Sequence, residues 1–104
     1  MDNYDRVKKV FEGFGYTTLE KPEMNENGVD MYVVGNKKSL KIEIKSVRVV
    51  SSGSWQTPPI EPGQRSSDMV AAVFKSGYVF IEKTEDFLSH CGKGGIRTFT
   101  NFKL

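Results

Sequence analysis

Residues 29–50 read Val-Asp-Met-Tyr-Val-Val-Gly-Asn-Lys-Lys-Ser-Leu-Lys-Ile-Glu-Ile-Lys-Ser-Val-Arg-Val-Val, and this stretch decides the fold. A β-prone run from Val29 to Val34 meets a turn sequence, Gly35-Asn36-Lys37-Lys38, and a second β-prone run follows from Leu40 to Val50. The pattern predicts a hairpin. Successive side chains of a strand point to opposite faces. Leu40, Ile42 and Ile44 therefore share one face, and Lys41, Glu43 and Lys45 share the other. Twelve residues separate Asp30 from Glu43, and a turn centred on Asn36-Lys37 places Asp30 opposite or diagonal to Glu43.

Carboxylates on neighbouring strands can share one divalent cation, and hard cations prefer oxygen ligands. Phosphodiester cleavage needs charge neutralised at the phosphate and an activated water, and a cation held in this way provides both. Asp30 and Glu43 are the candidate metal ligands, with the backbone carbonyl of Ile44 as a further donor. Lys45, on the face of Glu43, is suited to orienting the attacking water or stabilising developing negative charge. Glu-x-Lys on a strand is also the pattern of an ordinary solvated strand face. The surroundings of the hairpin must decide between these readings.

Towards the amino end, Tyr4, Val7, Val10, Phe11 and Phe14 recur at helical spacing, with Asp2, Asn3 and Asp5 at the end where negative charge is favourable. The spacing predicts an amphipathic helix over residues 2–14, stopped by Gly13 and Gly15. A strand or extended link follows over Tyr16–Leu19, then a segment rich in turn formers over Lys21–Gly28. Towards the carboxyl end, Ser51–Ser67 contains Ser-Ser-Gly-Ser, Pro-Pro and Pro-Gly and reads as one long irregular loop, expected to be mobile and, since it leaves the strand carrying Glu43 and Lys45, to start beside the candidate phosphate site. A second hairpin over Met69–Phe74 and Tyr78–Glu82, a short helix near Glu85–Cys91 and a last strand near Arg97–Phe102 complete the pattern.

Gly28-Val29-Asp30, followed after twelve residues by Glu43-Ile44-Lys45 in a hairpin preceded by a helix, resembles the PD-(D/E)XK nuclease superfamily. Restriction enzymes, Holliday-junction resolvases and some homing endonucleases belong to it, and the resemblance spans residues 4–83. It implies an α/β fold with an α-β-β-β-α-β core and a mixed central sheet. It also implies DNA as partner, Mg²⁺-dependent hydrolysis with Mn²⁺ as substitute, and a homodimer. Val29 stands where the motif has proline, which leaves the acid in place. Many relatives add a metal-ligating acid from the first helix, and Glu12 is favoured for this role over Asp5.

Length and composition are compatible with that reading. A chain of 104 residues fits one domain, residues 1–104, and 38% hydrophobic residues with twelve aromatics are enough for a packed core. The formal charge of +2 permits a polyanion partner without announcing one. Arg48, next to the candidate strand, and Gln56, Trp55 and Arg65 in the long loop are the candidate DNA contacts. For Trp55, folding back over the core is the competing role. One cysteine cannot form an intrachain disulfide, and His90 and Cys91 lack partners at zinc-ligand spacing. Gly92-Lys93-Gly94-Gly95 reads as a helix cap and turn rather than a phosphate loop. With no apolar run long enough to span a bilayer and no apolar leader, a cytoplasmic protein without a small-molecule cofactor is expected. The rival reading is a non-catalytic DNA- or protein-binding module built on the same core.

Overall fold

The computed structural model describes residues 1–19, 29–50 and 53–99. The turn-rich stretch of residues 21–28, the start of the long loop and the end of the last expected strand lie outside these. Helix α1 (Asn3–Gly13) begins at Asp2, whose carboxylate accepts the Asp5 N–H at 2.8 Å, and buries Val7 and Phe11 on one stripe. Strand β1 (Thr17–Leu19) follows, then the hairpin β2 (Met31–Gly35) and β3 (Lys38–Ser46). Asn36 and Lys37 both have positive φ, 50° and 62°, as the tight two-residue hairpin turn requires. That turn fixes the register, with Gly35 opposite Lys38 and Met31 opposite Ile42.

After β3 the chain forms β4 (Arg48–Val49), β5 (Trp55–Gln56), a 3₁₀ turn over Pro62–Ser66, the second hairpin β6 (Met69–Val73) and β7 (Val79–Lys83), helix α2 (Thr84–Ser89) and β8 (Thr98–Phe99). The main sheet has the order β1-β2-β3-β6-β7, with β3 and β6 parallel and the other neighbours antiparallel. A small antiparallel sheet joins β4, β5 and β8. This is a mixed α/β fold. The long loop is more regular than its composition suggests, because Trp55-Gln56 pairs with Arg48-Val49 on one side and Thr98-Phe99 on the other, and Pro62 opens the 3₁₀ turn.

Two cores flank the main sheet. Val7 and Phe11 of α1 pack with Met31, Val33, Ile42, Ala71 and Val73 on one face. Val47, Val70, Ala72 and Phe74 pack with Ile60, Phe87 and Phe99 on the other, beneath α2 and the small sheet. Phe99 lies edge-on to Phe74 and Phe80, with ring centroids 5.2 and 5.3 Å apart. Residues 57–60 cross this second face and are pinned from the carboxyl end. Thr57 N–H donates to the Arg97 carbonyl at 3.1 Å, and Ile60 N–H to the Gly95 carbonyl at 3.0 Å. Gly95 has φ 75°, and a Cβ there would meet the Ile60 carbonyl oxygen at 2.9 Å, so the close approach needs glycine. The Gly92–Gly95 stretch thus acts as a turn that anchors the covering segment.

Candidate active site

The alternation of β3 divides its residues as expected: Ile42 belongs to the α1 core, while Glu43 and Lys45 lie on the other face. They are not a solvated strand face. Glu43 is 2% exposed and Lys45 8%, because residues 59–64 cover them. Asp30, half-buried, stands one residue beyond the last paired position of β2, and its N–H donates to the Ile42 carbonyl at 3.0 Å. Its Oδ2 accepts the Ile44 N–H at 2.8 Å. A side chain thus continues the ladder where β2 has not yet begun. The backbone groups of one strand residue point to the same side, so the Ile44 carbonyl is directed to the edge that Asp30 occupies.

Lys45 Nζ donates to the Pro59 carbonyl at 3.0 Å and to Gln64 Oε1 at 2.8 Å, and lies 3.6 Å from Glu43 Oε1. Glu43 Oε2 is buried and no donor reaches it, while the neighbouring Asp30 carboxylate accepts its proton when the carboxyl is neutral. Burial, together with the adjacent Asp30 carboxylate, pushes the Glu43 carboxyl up to about 8, and Lys45 only partly opposes the rise. At neutral pH the isolated site therefore holds Glu43 largely protonated. Two carboxyl groups, one of them with a buried oxygen that lacks a donor, and a lysine thus meet on one face of β3.

Other candidates take different places. Glu12 is exposed on α1, which packs on the Ile42 face of the sheet, so it is not brought to the pair; Asp5 is exposed on the same helix. Among the described residues no three acidic, histidine or cysteine side chains gather to hold a metal. Arg48 is exposed on β4, just past Lys45. Trp55 is half-buried and packs edge-on against Phe74 at 5.7 Å, so it covers the second core while keeping part of its surface exposed. Gln56 donates to Thr98 Oγ1 at 3.3 Å within the small sheet, away from Lys45. Arg65 is exposed on the 3₁₀ turn and reaches over Gly95. His90 is exposed at the end of α2, and Cys91 is half-buried with its Sγ donating to the Phe87 carbonyl at 3.2 Å.

The glutamine at the site is Gln64, which sequence reasoning missed in favour of Gln56. Its Oε1 also accepts the Glu61 N–H at 2.9 Å, so the same atom shapes the 3₁₀ turn and holds Lys45. The string Glu61-Pro62-Gly63-Gln64 carried the signal: proline in the first turn and glutamine three residues after the cap is a helix-start pattern.

No protein-family model and no curated protein matches this sequence. Among solved structures the fold is similar to that of a bacterial homing endonuclease, I-Ssp6803I, with a TM-score of 0.77 over 98% of this chain and 72% of that chain, at 14% sequence identity. The likeness is one of fold.

Proposed function

We propose that the chain is a DNA endonuclease of the PD-(D/E)XK type that hydrolyses phosphodiester bonds with Mg²⁺, for which Mn²⁺ substitutes. The observation that carries this reading is the buried Oε2 of Glu43, which no donor reaches, beside a second carboxylate and a lysine. A buried carboxylate oxygen without a donor is costly, and a cation held by Asp30, Glu43 and the Ile44 carbonyl removes that cost. The similarity in fold to a homing endonuclease adds weight.

In this reading Asp30 and Glu43 are the metal-binding carboxylates. When bound, the metal supplies charge neutralisation at the phosphate and acidifies a water. Asp30 is held through Oδ2 by the Ile44 N–H, which leaves its other oxygen for the metal. Lys45 presents its ammonium 3.6 Å from Glu43, where it stabilises charge developing on the phosphate or orients the attacking water. Gln64 and Pro59 hold that ammonium until a phosphate competes for it. Arg48 and Arg65 contact the DNA backbone. Cutting both strands calls for two such centres, so a homodimer in the cytoplasm completes the proposal. Among the described residues no helix is long and apolar enough to cross a membrane.

The test is incubation with supercoiled plasmid and with linear, nicked, flapped and four-way-junction DNA in Mg²⁺, Mn²⁺ or EDTA. Cleavage in the metals and none in EDTA is expected. Binding without cleavage of any substrate would leave the non-catalytic module as the better reading.

A further inference from the structure

Where β3 runs out, past Lys45, a cavity of about 510 Å³ opens. A volume of that size lies in the range of about 300–1,000 Å³ typical of small-ligand sites. Part of its wall is Trp55, whose ring is held edge-on by Phe74 and is only half-buried. Three cations line it from three elements: Arg6 of α1, Arg48 of β4 and Lys75 of the turn between β6 and β7. No carboxylate lines it among the described residues. Asn3 Nδ2 donates to Ser46 Oγ at 2.6 Å across the same cavity, tying the start of α1 to the end of β3. A second cavity, near Asp68, mixes Arg65 and Lys83 with Asp68 and Glu85 and so carries no such bias.

An aromatic surface flanked by cations and free of acids is the chemistry that recognises an unstacked base with its phosphates. Ser46 and Arg48 follow Lys45 by one and three residues. At about 3.3 Å per strand residue they lie within roughly 10 Å of it, a reach of roughly one to three nucleotides along a DNA strand. We propose that this cavity receives an unpaired nucleotide of the DNA strand to be cut, the base against Trp55 and the phosphates on Arg6, Arg48 and Lys75. Bases stacked within an intact duplex do not reach Trp55, so the site favours DNA with a flap, a gap or an extruded base. The inference rests on the reading of the chain as a DNA endonuclease and names the form of its substrate.

Trp55 is the chain's one tryptophan, so its fluorescence reports on this cavity alone. The probes are a short single-stranded oligodeoxynucleotide, a blunt duplex and the same duplex with a single-stranded flap, each titrated in EDTA so that binding is read without cleavage. The single strand and the flapped duplex should quench Trp55, and the blunt duplex should not. Arg48→Ala and Lys75→Ala should each weaken flap binding about five- to tenfold and lower the salt slope by about 1, and Trp55→Leu should weaken it about tenfold. Arg48 and Lys75 are exposed, so these two variants keep the test decisive should Trp55→Leu fail to fold. Equal quenching by blunt and flapped duplexes, or flap binding unchanged in Arg48→Ala and Lys75→Ala, overturns the proposal. Cleavage in Mg²⁺ with a silent Trp55 removes the cavity and leaves the nuclease reading standing; quenching by flapped DNA without cleavage does the reverse.

Discussion

On one face of β3, Ile42 is fully buried against α1, with Leu40 and Ile44 packed partly beside it. On the other, Glu43 and Lys45 are buried almost as deeply, under a covering segment rather than a helix. The first face satisfies its burial by packing alone. The second leaves Glu43 Oε2 without a donor and keeps a carboxyl in its neutral form well above the usual carboxylate range. One strand thus separates two faces by the two-residue period of its side chains: apolar packing on the Ile42 side, and on the Glu43 side a buried polar pair that the proposed function assigns to the reaction.

That contrast breaks most sharply in activity. Lys45→Ala should lower the rate of DNA cleavage about 10²- to 10³-fold, the range for removing one stabilising group from a preorganised site. The protein should still fold, with a lowered melting temperature because the buried contacts to Pro59, Gln64 and Glu43 are lost. Parallel cleavage and melting measurements decide. Ile42→Ala should destabilise by about 2–5 kcal/mol through a cavity against α1 while leaving cleavage intact well below its melting point. If Ile42→Ala abolished cleavage in a still-folded protein, the division between faces would fail.

Metal-free stability sharpens the comparison through pH. Glu43 titrates near 4.5 when unfolded and near 8 when folded, so the folded state holds the proton more tightly. Its contribution is therefore complete below pH 4.5, declines as pH rises and is gone above about 8, with a slope of up to about 1.4 kcal/mol per pH unit between. Chemical denaturation in EDTA across that window should show the fall, and Glu43→Gln should flatten it. The smallest effect belongs to Gln64→Ala. Losing one acceptor from Lys45 should cost about 1–2 kcal/mol of positioning, about a tenfold drop in kcat with KM nearly unchanged. A shift in KM alone would make Gln64 a DNA contact rather than a holder of Lys45.

The hairpin was legible because its cues are local. Asn36 tolerates the left-handed conformation that a two-residue turn demands, and once the turn is placed, strand alternation puts Glu43 and Lys45 on one side. The small sheet was not legible, since Trp55 finds a partner in Phe99 across more than forty residues and no local pattern encodes that pairing. Helical spacing identified the buried stripe of α1 but could not say which face of the sheet it would cover, and that choice takes Glu12 away from the Asp30–Glu43 pair. Two glutamines lie in the same long loop; the fold of the 3₁₀ turn, not distance along the chain from Lys45, decides that Gln64 reaches it.

The central claim is that Glu43 is buried for the reaction and not for the fold, and Glu43→Gln tests it most directly. The amide keeps the shape and removes only the ionisable oxygen. Plasmid cleavage in Mg²⁺ should be lost while the metal-free protein melts at or above the wild-type temperature at pH 8, where about half of the wild-type carboxyl carries a buried charge that Lys45 only partly offsets. Cleavage by Glu43→Gln at the wild-type rate would contradict it.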